Sequence, residues 1–211
     1  MSETLNKAVR SARKAKGDGH TRRAEILRAA ERIFVAEGYE GATIRKIADE
    51  VGVSSTCLYM HFRDKDQILL EICTDVMEGL LAINSEISAR PIDPVERVRM
   101  MLSAYMEFAL ENPNAYRLVF CTSSTAGSEQ WRQVSNELGA QCVERFAGVV
   151  NEIAAQGRLK IGDPESVRLT VWAACHGLVS LMLTKPSHEW GRPEDMAKLL
   201  VDSLLFGLIA D

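Results

Sequence analysis

Ser54, Ser55, Thr56, Tyr59, Met60 and His61 lie in the window Val51 to Arg63, which contains no carboxylate between Glu50 and Asp64. Hydroxyls, a phenol and an imidazole crowded onto one short stretch suit a single task. They donate hydrogen bonds to phosphate oxygens and meet base edges, where a carboxylate would be repelled. Thr43 and the cations Arg45 and Lys65 flank the window. Thr43, Tyr59 and His61 are candidate phosphate donors and Lys65 adds a positive charge there. Arg45 is the candidate for a bidentate guanine contact, with Ser54, Ser55 and Thr56 reading base edges or a thymine methyl. An idle solvated helix face would more usually carry Glu and Lys for their helix propensity.

These groups need two short elements to hold them. Ile44, Ile47, Ala48 and Val51 recur at spacings of three and four, which predicts one apolar helix face. Gly52 follows where that helix should end in a left-handed turn, and Ser54 can cap a second helix with Cys57, Leu58 and Phe62 inward. Helix, glycine turn, helix is the helix-turn-helix unit, whose second helix enters the DNA major groove. The same periodicity also fits a plain helical hairpin packed on a core.

The run from Ala24 to Lys65 resembles the N-terminal DNA-binding domain of the tetracycline-repressor (TetR) family of bacterial regulators. The matching residues are AAERIFVAEGYEGATIRKIADEVGVS followed by LYMHFRDKDQIL. Thr56 and Cys57 stand where that family often has Gly or Ala followed by Thr or Ala, which points to a different operator contact at Thr56. A shorter likeness lies further on. Trp172, His176 and Gly177 resemble a W-x-x-x-H-G signature of one C-terminal class of these regulators, and Tyr116–Phe120 fits the same class. The resemblance implies an all-α fold, a homodimer formed through a four-helix bundle of the last two helices, and no enzymatic activity.

Charge distribution agrees with a DNA-reading front. The net charge is −4, yet residues 1–65 hold 13 basic against 9 acidic side chains, a net +4, and the remainder 12 against 20, a net −8. A basic module on an acidic body is the asymmetry expected of a DNA-binding regulator. The sequence has no uninterrupted apolar run of the roughly 18–20 residues that span a bilayer, and its N-terminus lacks an apolar signal core. These features predict a cytoplasmic protein without a membrane partner. The five cysteines are scattered with no CxxC pair, so a disulfide framework is not expected. There is no GxSxG, HExxH, H-x3-H, Gly-rich phosphate loop or acidic cluster at metal spacing, so neither a catalytic site, a cofactor nor a metal is expected.

Taken along the chain, residues 1–20 read as a flexible basic arm, 21–65 as the helix-turn-helix domain and 66–211 as a helical regulatory and dimerisation domain. Helix one is predicted from about Thr21 to Glu37, with Gly38 ending it and Tyr39 packing back. Asp64 with Gln67 makes a capping box for a long helix to about Ala89, too long for the N-terminal bundle alone. That helix is the expected transmitter, and Gly79 within it either softens it or allows close packing. Asp93-Pro94 and Asn112-Pro113 start helices five and six. Thr122 to Ser128 reads as a loop before a helix from about Glu129 to Gln156. Asp163-Pro164 starts a helix ending before Pro186, and a last helix runs from about Glu194 to Ala210. These final two are apolar around most of their circumference, which predicts cover by a second copy.

Met77, Met101, Tyr105, Phe108, Phe120, Trp131, Trp172, Cys175 and His176 are the candidates for a ligand pocket. Each taken singly also fits plain core, and His176 fits a hydrogen-bonded structural histidine better than a metal ligand. Together they imply a mainly apolar small-molecule effector. The sequence thus predicts a ligand-responsive regulator, a repressor released from a pseudo-palindromic double-stranded operator. A ligand-independent co-regulator or nucleoid-type DNA-binding protein is the alternative, and an all-helical enzyme a weaker one. Ligand would favour a dimer arrangement that no longer fits the operator. A tenfold to hundredfold loss of DNA affinity needs only about 1.4–2.8 kcal/mol of coupling.

Overall fold

The computed structural model describes residues 19–121 and 129–210. Most of the arm expected over 1–20 and the loop expected over 122–128 therefore lie outside the described residues. The elements are α1 (Gly19–Gly41), α2 (Ile44–Val51), α3 (Ser55–Tyr59), α4 (Lys65–Ser88), α5 (Pro94–Glu111), α6 (Pro113–Tyr116), a π-helical turn (Arg117–Cys121), α7 (Glu129–Ala155), α8 (Pro164–Thr184) and α9 (Pro193–Leu208). Among the described residues, β pairing is limited to one isolated antiparallel bridge, Leu159 to Ile209.

The helix starts follow from local chemistry. The side chains of Thr43, Ser54, Asp64, Asp93 and Asp163 each accept from a backbone N–H in the first turn of α2, α3, α4, α5 and α8. Asn112 is the exception. It precedes Pro113 as expected, but its Nδ2 donates to the Phe108 carbonyl 2.9 Å away, so it closes α5 and makes no side-chain cap for α6. Gly38 adopts φ 73° and kinks α1 where its end was expected, letting the chain run on to Gly41. Gly52 sits at φ 74° and ends α2 in the left-handed turn that separates it from α3.

Two apolar cores result. The first is built on Ile26, Phe34, Ile47, Leu58 and Phe62 and draws in Ile68, Ile72, Cys73 and Val76 of α4. It does not stop at residue 65: Ala115, Leu118 and Trp131 are buried in it as well. The second gathers Val98, Met101, Met106, Tyr116, Phe146, Ile153, Val171, Cys175 and Val201 from α5 to α9. Gly79 lies under Phe108, whose ring would stand 3.7 Å from an added Cβ. Of the two readings of Gly79, this contact favours close packing.

Helix α8 is, by length and composition, the one described helix able to cross a membrane, with mean hydropathy 1.4 over its most apolar window. It nonetheless carries Arg168 and His176 and packs against α5, α7 and α9. Only a third of that window is buried within one chain.

Because Leu118 belongs to the first core, Leu118→Ala should destabilise the N-terminal helices from a distance. A loss of about 2–5 kcal/mol is expected for a fully buried leucine. It should be read as faster hydrogen exchange in α1 and α2; faster exchange confined to α6 to α9 would contradict this packing.

Candidate DNA-reading surface and ligand cavity

The reading surface is assembled from three contacts that pin α3. Its inward side is Leu58, with Phe62 just beyond, both essentially inaccessible. Arg23 of α1 holds the far end: its guanidinium lies 4.1 Å from the Phe62 ring centroid, donates to the His61 carbonyl at 2.6 Å and pairs with Glu71 of α4. At the near end, the Ser54 hydroxyl accepts from the Cys57 N–H at 3.1 Å. What remains outward is Ser54, Thr56, Tyr59 at 56% exposure and Met60 at 82%, with Ser55 and His61 half-buried. Cys57, expected inward, is half-buried because α3 is a helix of only five residues.

Thr43 and Arg45 stand exposed on the neighbouring helix α2. The Thr43 hydroxyl accepts from the Lys46 N–H at 3.2 Å, leaving its own hydrogen available to an outside acceptor. Arg45 lies loosely beside Asp49, 3.8 Å away, with both side chains solvated, an arrangement that holds the guanidinium weakly. Lys65 is placed differently from the expectation. Its ammonium donates to the carbonyls of Tyr39 at 2.8 Å and Ala42 at 3.4 Å and sits 4.0 Å above the Tyr39 ring. It satisfies the orphan carbonyls at the end of α1, so phosphate binding is not its principal contact. Tyr39 in turn stacks on Phe34, their centroids 6.1 Å apart.

A cavity of about 440 Å³ lies among α4, α5, α7 and α8. Of the nine candidates, Met77, Met101, Tyr105, Phe120 and Trp172 line it. Four are corrections. Phe108 turns to Gly79 and the first core, and Trp131 is buried in that core. Cys175 is fully buried in the second core. His176 stands behind the wall, stacked on Trp172 at 5.5 Å. The sequence reading missed Asn84, Ser135, Asn136, Cys142 and Arg168 among the lining residues. The apolar Leu80, Leu102, Val143, Phe146 and Leu169 line it too, and nothing in their residue types separates them from plain core.

Behind the wall runs a hydrogen-bond chain. The Tyr116 hydroxyl lies 2.6 Å from His176 Nδ1, and the Tyr105 hydroxyl lies 3.1 Å from that of Tyr116 and 3.0 Å from Nδ1. Burial lowers the His176 pKa, which favours the neutral ring among these hydroxyls. The same desolvation raises both phenols, Tyr116 to about 12. This gives the W-x-x-x-H spacing a physical sense. One turn apart on α8, the two rings stack, and His176 is fastened to α5 and α6 by Tyr105 and Tyr116. Burial also pushes the thiols of Cys73 and Cys175 up, to about 11 and about 12, which keeps them protonated. No cluster of three or more metal-ligating side chains occurs among the described residues.

Comparison with known proteins follows the same division. Residues 26–72 match the family described as "Bacterial regulatory proteins, tetR family", and residues 98–204 match "Tetracyclin repressor-like, C-terminal domain". The chain is 30% identical to the HTH-type transcriptional activator FasR of Mycolicibacterium smegmatis over 57% of its own length and 59% of that protein's, so it spans about three-fifths of that relative. It is also 30% identical to the nucleoid occlusion factor SlmA of Vibrio vulnificus, over 72% of this chain and 76% of that one. Among solved structures, the TetR family transcriptional regulator PfmR from Thermus thermophilus superposes with a TM-score of 0.72 at 25% identity, covering 87% of this chain and 95% of that one.

The lowered His176 pKa has a consequence for stability. The unfolded ring binds its proton near the ordinary value of 6.5 and the folded ring only at lower pH. Unfolding therefore takes up a proton in that interval, and stability falls as pH drops from about 6.5 towards the folded value. Denaturant unfolding at pH 7.5 and 5.5 should show a smaller pH-dependent loss in His176→Gln than in the parent. An equal loss in both would assign the pH dependence to other groups.

Proposed function

Because the chain belongs to the TetR family of bacterial regulatory proteins, we propose that it is a repressor whose dimer leaves a pseudo-palindromic operator when a mainly apolar small molecule fills the cavity. The observation that carries this reading is the coexistence of an exposed, carboxylate-free α3 with a largely apolar cavity among α4, α5, α7 and α8. Thr43, Tyr59 and His61 hold phosphates, Arg45 with Ser54, Ser55 and Thr56 reads bases, and Lys65 supports the α1 end beneath them. The division is a DNA-binding domain over 21–65 and a regulatory domain over 66–211, with the start of α4 shared by both. The C-terminal half belongs to the W-x-x-x-H-G class, a reading supported by the stacked Trp172 and His176. The protein acts in the cytoplasm without a membrane partner.

The dimer forms through α8 and α9. Leu181 and Leu199 are about half exposed or more, and Phe206 is 81% exposed. Beside them Thr170 and Ala173 are exposed, and an added Cβ at Gly177 would meet nothing within 4 Å. That leaves a shallow face which a second helix pair can approach closely. Two reading helices must then sit about 34–36 Å apart, one turn of the duplex.

The likeness to SlmA favours a second reading, a nucleoid-type protein whose DNA binding answers to no small molecule. The two readings separate on whether any cavity ligand changes DNA affinity.

Selection of bound duplexes from a random pool should return an inverted repeat with half-sites about one helical turn apart. Affinity for it should fall steeply with salt, as counterion release requires. Tyr59→Ala should lose specific binding by at least tenfold while keeping its fold. A pool that returns no repeat, or full retention by that variant, would defeat the assignment. Separately, Phe206→Glu should convert a dimer to a monomer in sedimentation, and an unchanged dimer would move the interface elsewhere.

A further inference from the structure

The two ends of the cavity differ in what they can offer a ligand. At one end the Tyr105 hydroxyl lies within bonding distance of Tyr116 and His176, so it is already engaged by the protein. At the other, two turns earlier along α8, stands Arg168. Its side chain is only 10% exposed and it lines the cavity. Nε donates to Glu165 at 2.8 Å and Nη2 to the same carboxylate. Nη1 has no partner among the described residues, and it is not among the side-chain nitrogens sealed from solvent. Glu165 itself is 62% exposed and can turn to water at little cost.

The guanidinium N–H pair not bonded to Glu165, beside apolar walls, offers an anion a charge-assisted hydrogen bond. One cation with Glu165 alongside fits a single negative charge and disfavours a doubly charged phosphate. Apolar side chains from Trp172 to Met77 and Phe120 line the cavity beside Arg168. Resting on the reading of this cavity as the effector site, we propose that the effector is an apolar monocarboxylate, its carboxylate on Arg168 and its tail towards Met77 and Phe120. Glu165 holds the guanidinium in the empty state and yields it to the ligand.

Calorimetric titration of the full chain with octanoate, 1-octanol and octylammonium tests this. Octanoate should bind at least tenfold tighter than 1-octanol, and octylammonium more weakly than either. Arg168→Met should lower octanoate binding to the level of 1-octanol and leave 1-octanol unchanged. Glu165→Gln, which removes the competing carboxylate, should raise octanoate affinity severalfold with no change for 1-octanol. It also decides the matter alone if Arg168→Met does not fold. Equal binding of octanoate and 1-octanol, or weaker octanoate binding in Glu165→Gln, overturns the role of Arg168 and leaves the cavity as an apolar site. Failure of all three probes to bind overturns the cavity reading with it.

Discussion

Nine residues, Pro113 to Cys121, are shared between the two cores. Ala115 and Leu118 are buried against α1 and α4 in the first, while Tyr116, between them, is buried in the second and bonded to His176. Close-packed interiors transmit displacement because they have no slack to absorb it. Any shift of Tyr116 towards or away from α8 therefore moves Leu118 against the helix that carries Arg23. Arg23 in turn fixes the His61 carbonyl and the Phe62 ring, and with them the end of α3. The π-helical turn that follows α6 fits this position, since such turns commonly mark functional irregularities in helices. Arg117 anchors it by donating to the Leu183 carbonyl near the end of α8.

This constraint alters the part given to α4. A single long helix joining two domains suggests a lever, and α4 does contribute Ile68 to Val76 to one core and Ile87 to the other. Gly79, packed under Phe108, is a contact point and not a free joint. Movement of α4 must carry Phe108 and hence α5 with it. The cavity wall, α5 and the α6 segment then act as one body pressed on the DNA-reading bundle, with α4 as its longest edge.

Much of this was legible from local sequence. Caps at Thr43, Ser54, Asp64, Asp93 and Asp163 depend on residues within three positions, and each formed. The left-handed turns at Gly38 and Gly52 were equally local. What local sequence does not show is competition from other partners. Lys65 has the type and place of a phosphate ligand, and the end of α1, 23 to 26 residues earlier, also supplies it with carbonyls. Asn112 resembles a cap until the Phe108 carbonyl competes for it. Phe108, Trp131 and Cys175 have the same apolar types as Met77 and Met101, and only helix rotation decides which face a cavity. Arg168 was passed over for the opposite reason: a charged residue three positions after Glu165 reads as a solvated pair, yet the helix buries one partner and exposes the other.

The exposed rim of the cavity links these parts to assembly. Leu169 and Trp172 border the opening and are both more than two-fifths exposed, and they share α8 with Gly177 and Leu181 on its uncovered side. A ligand seated beneath Trp172 bears on its indole, and through the stacked His176 on Tyr116. One helix thus stands in contact with the cavity, the shared segment and the uncovered face together. If ligand and DNA are coupled through it, the coupling is reciprocal: whatever factor the ligand removes from operator affinity, operator removes from ligand affinity. A rigid wall could not provide this, because a ligand with equal affinity for both arrangements shifts nothing. The half-exposed indole, held by its stack on His176, is a group that can differ between them at a cost of about 1 kcal/mol, close to the coupling a tenfold response requires.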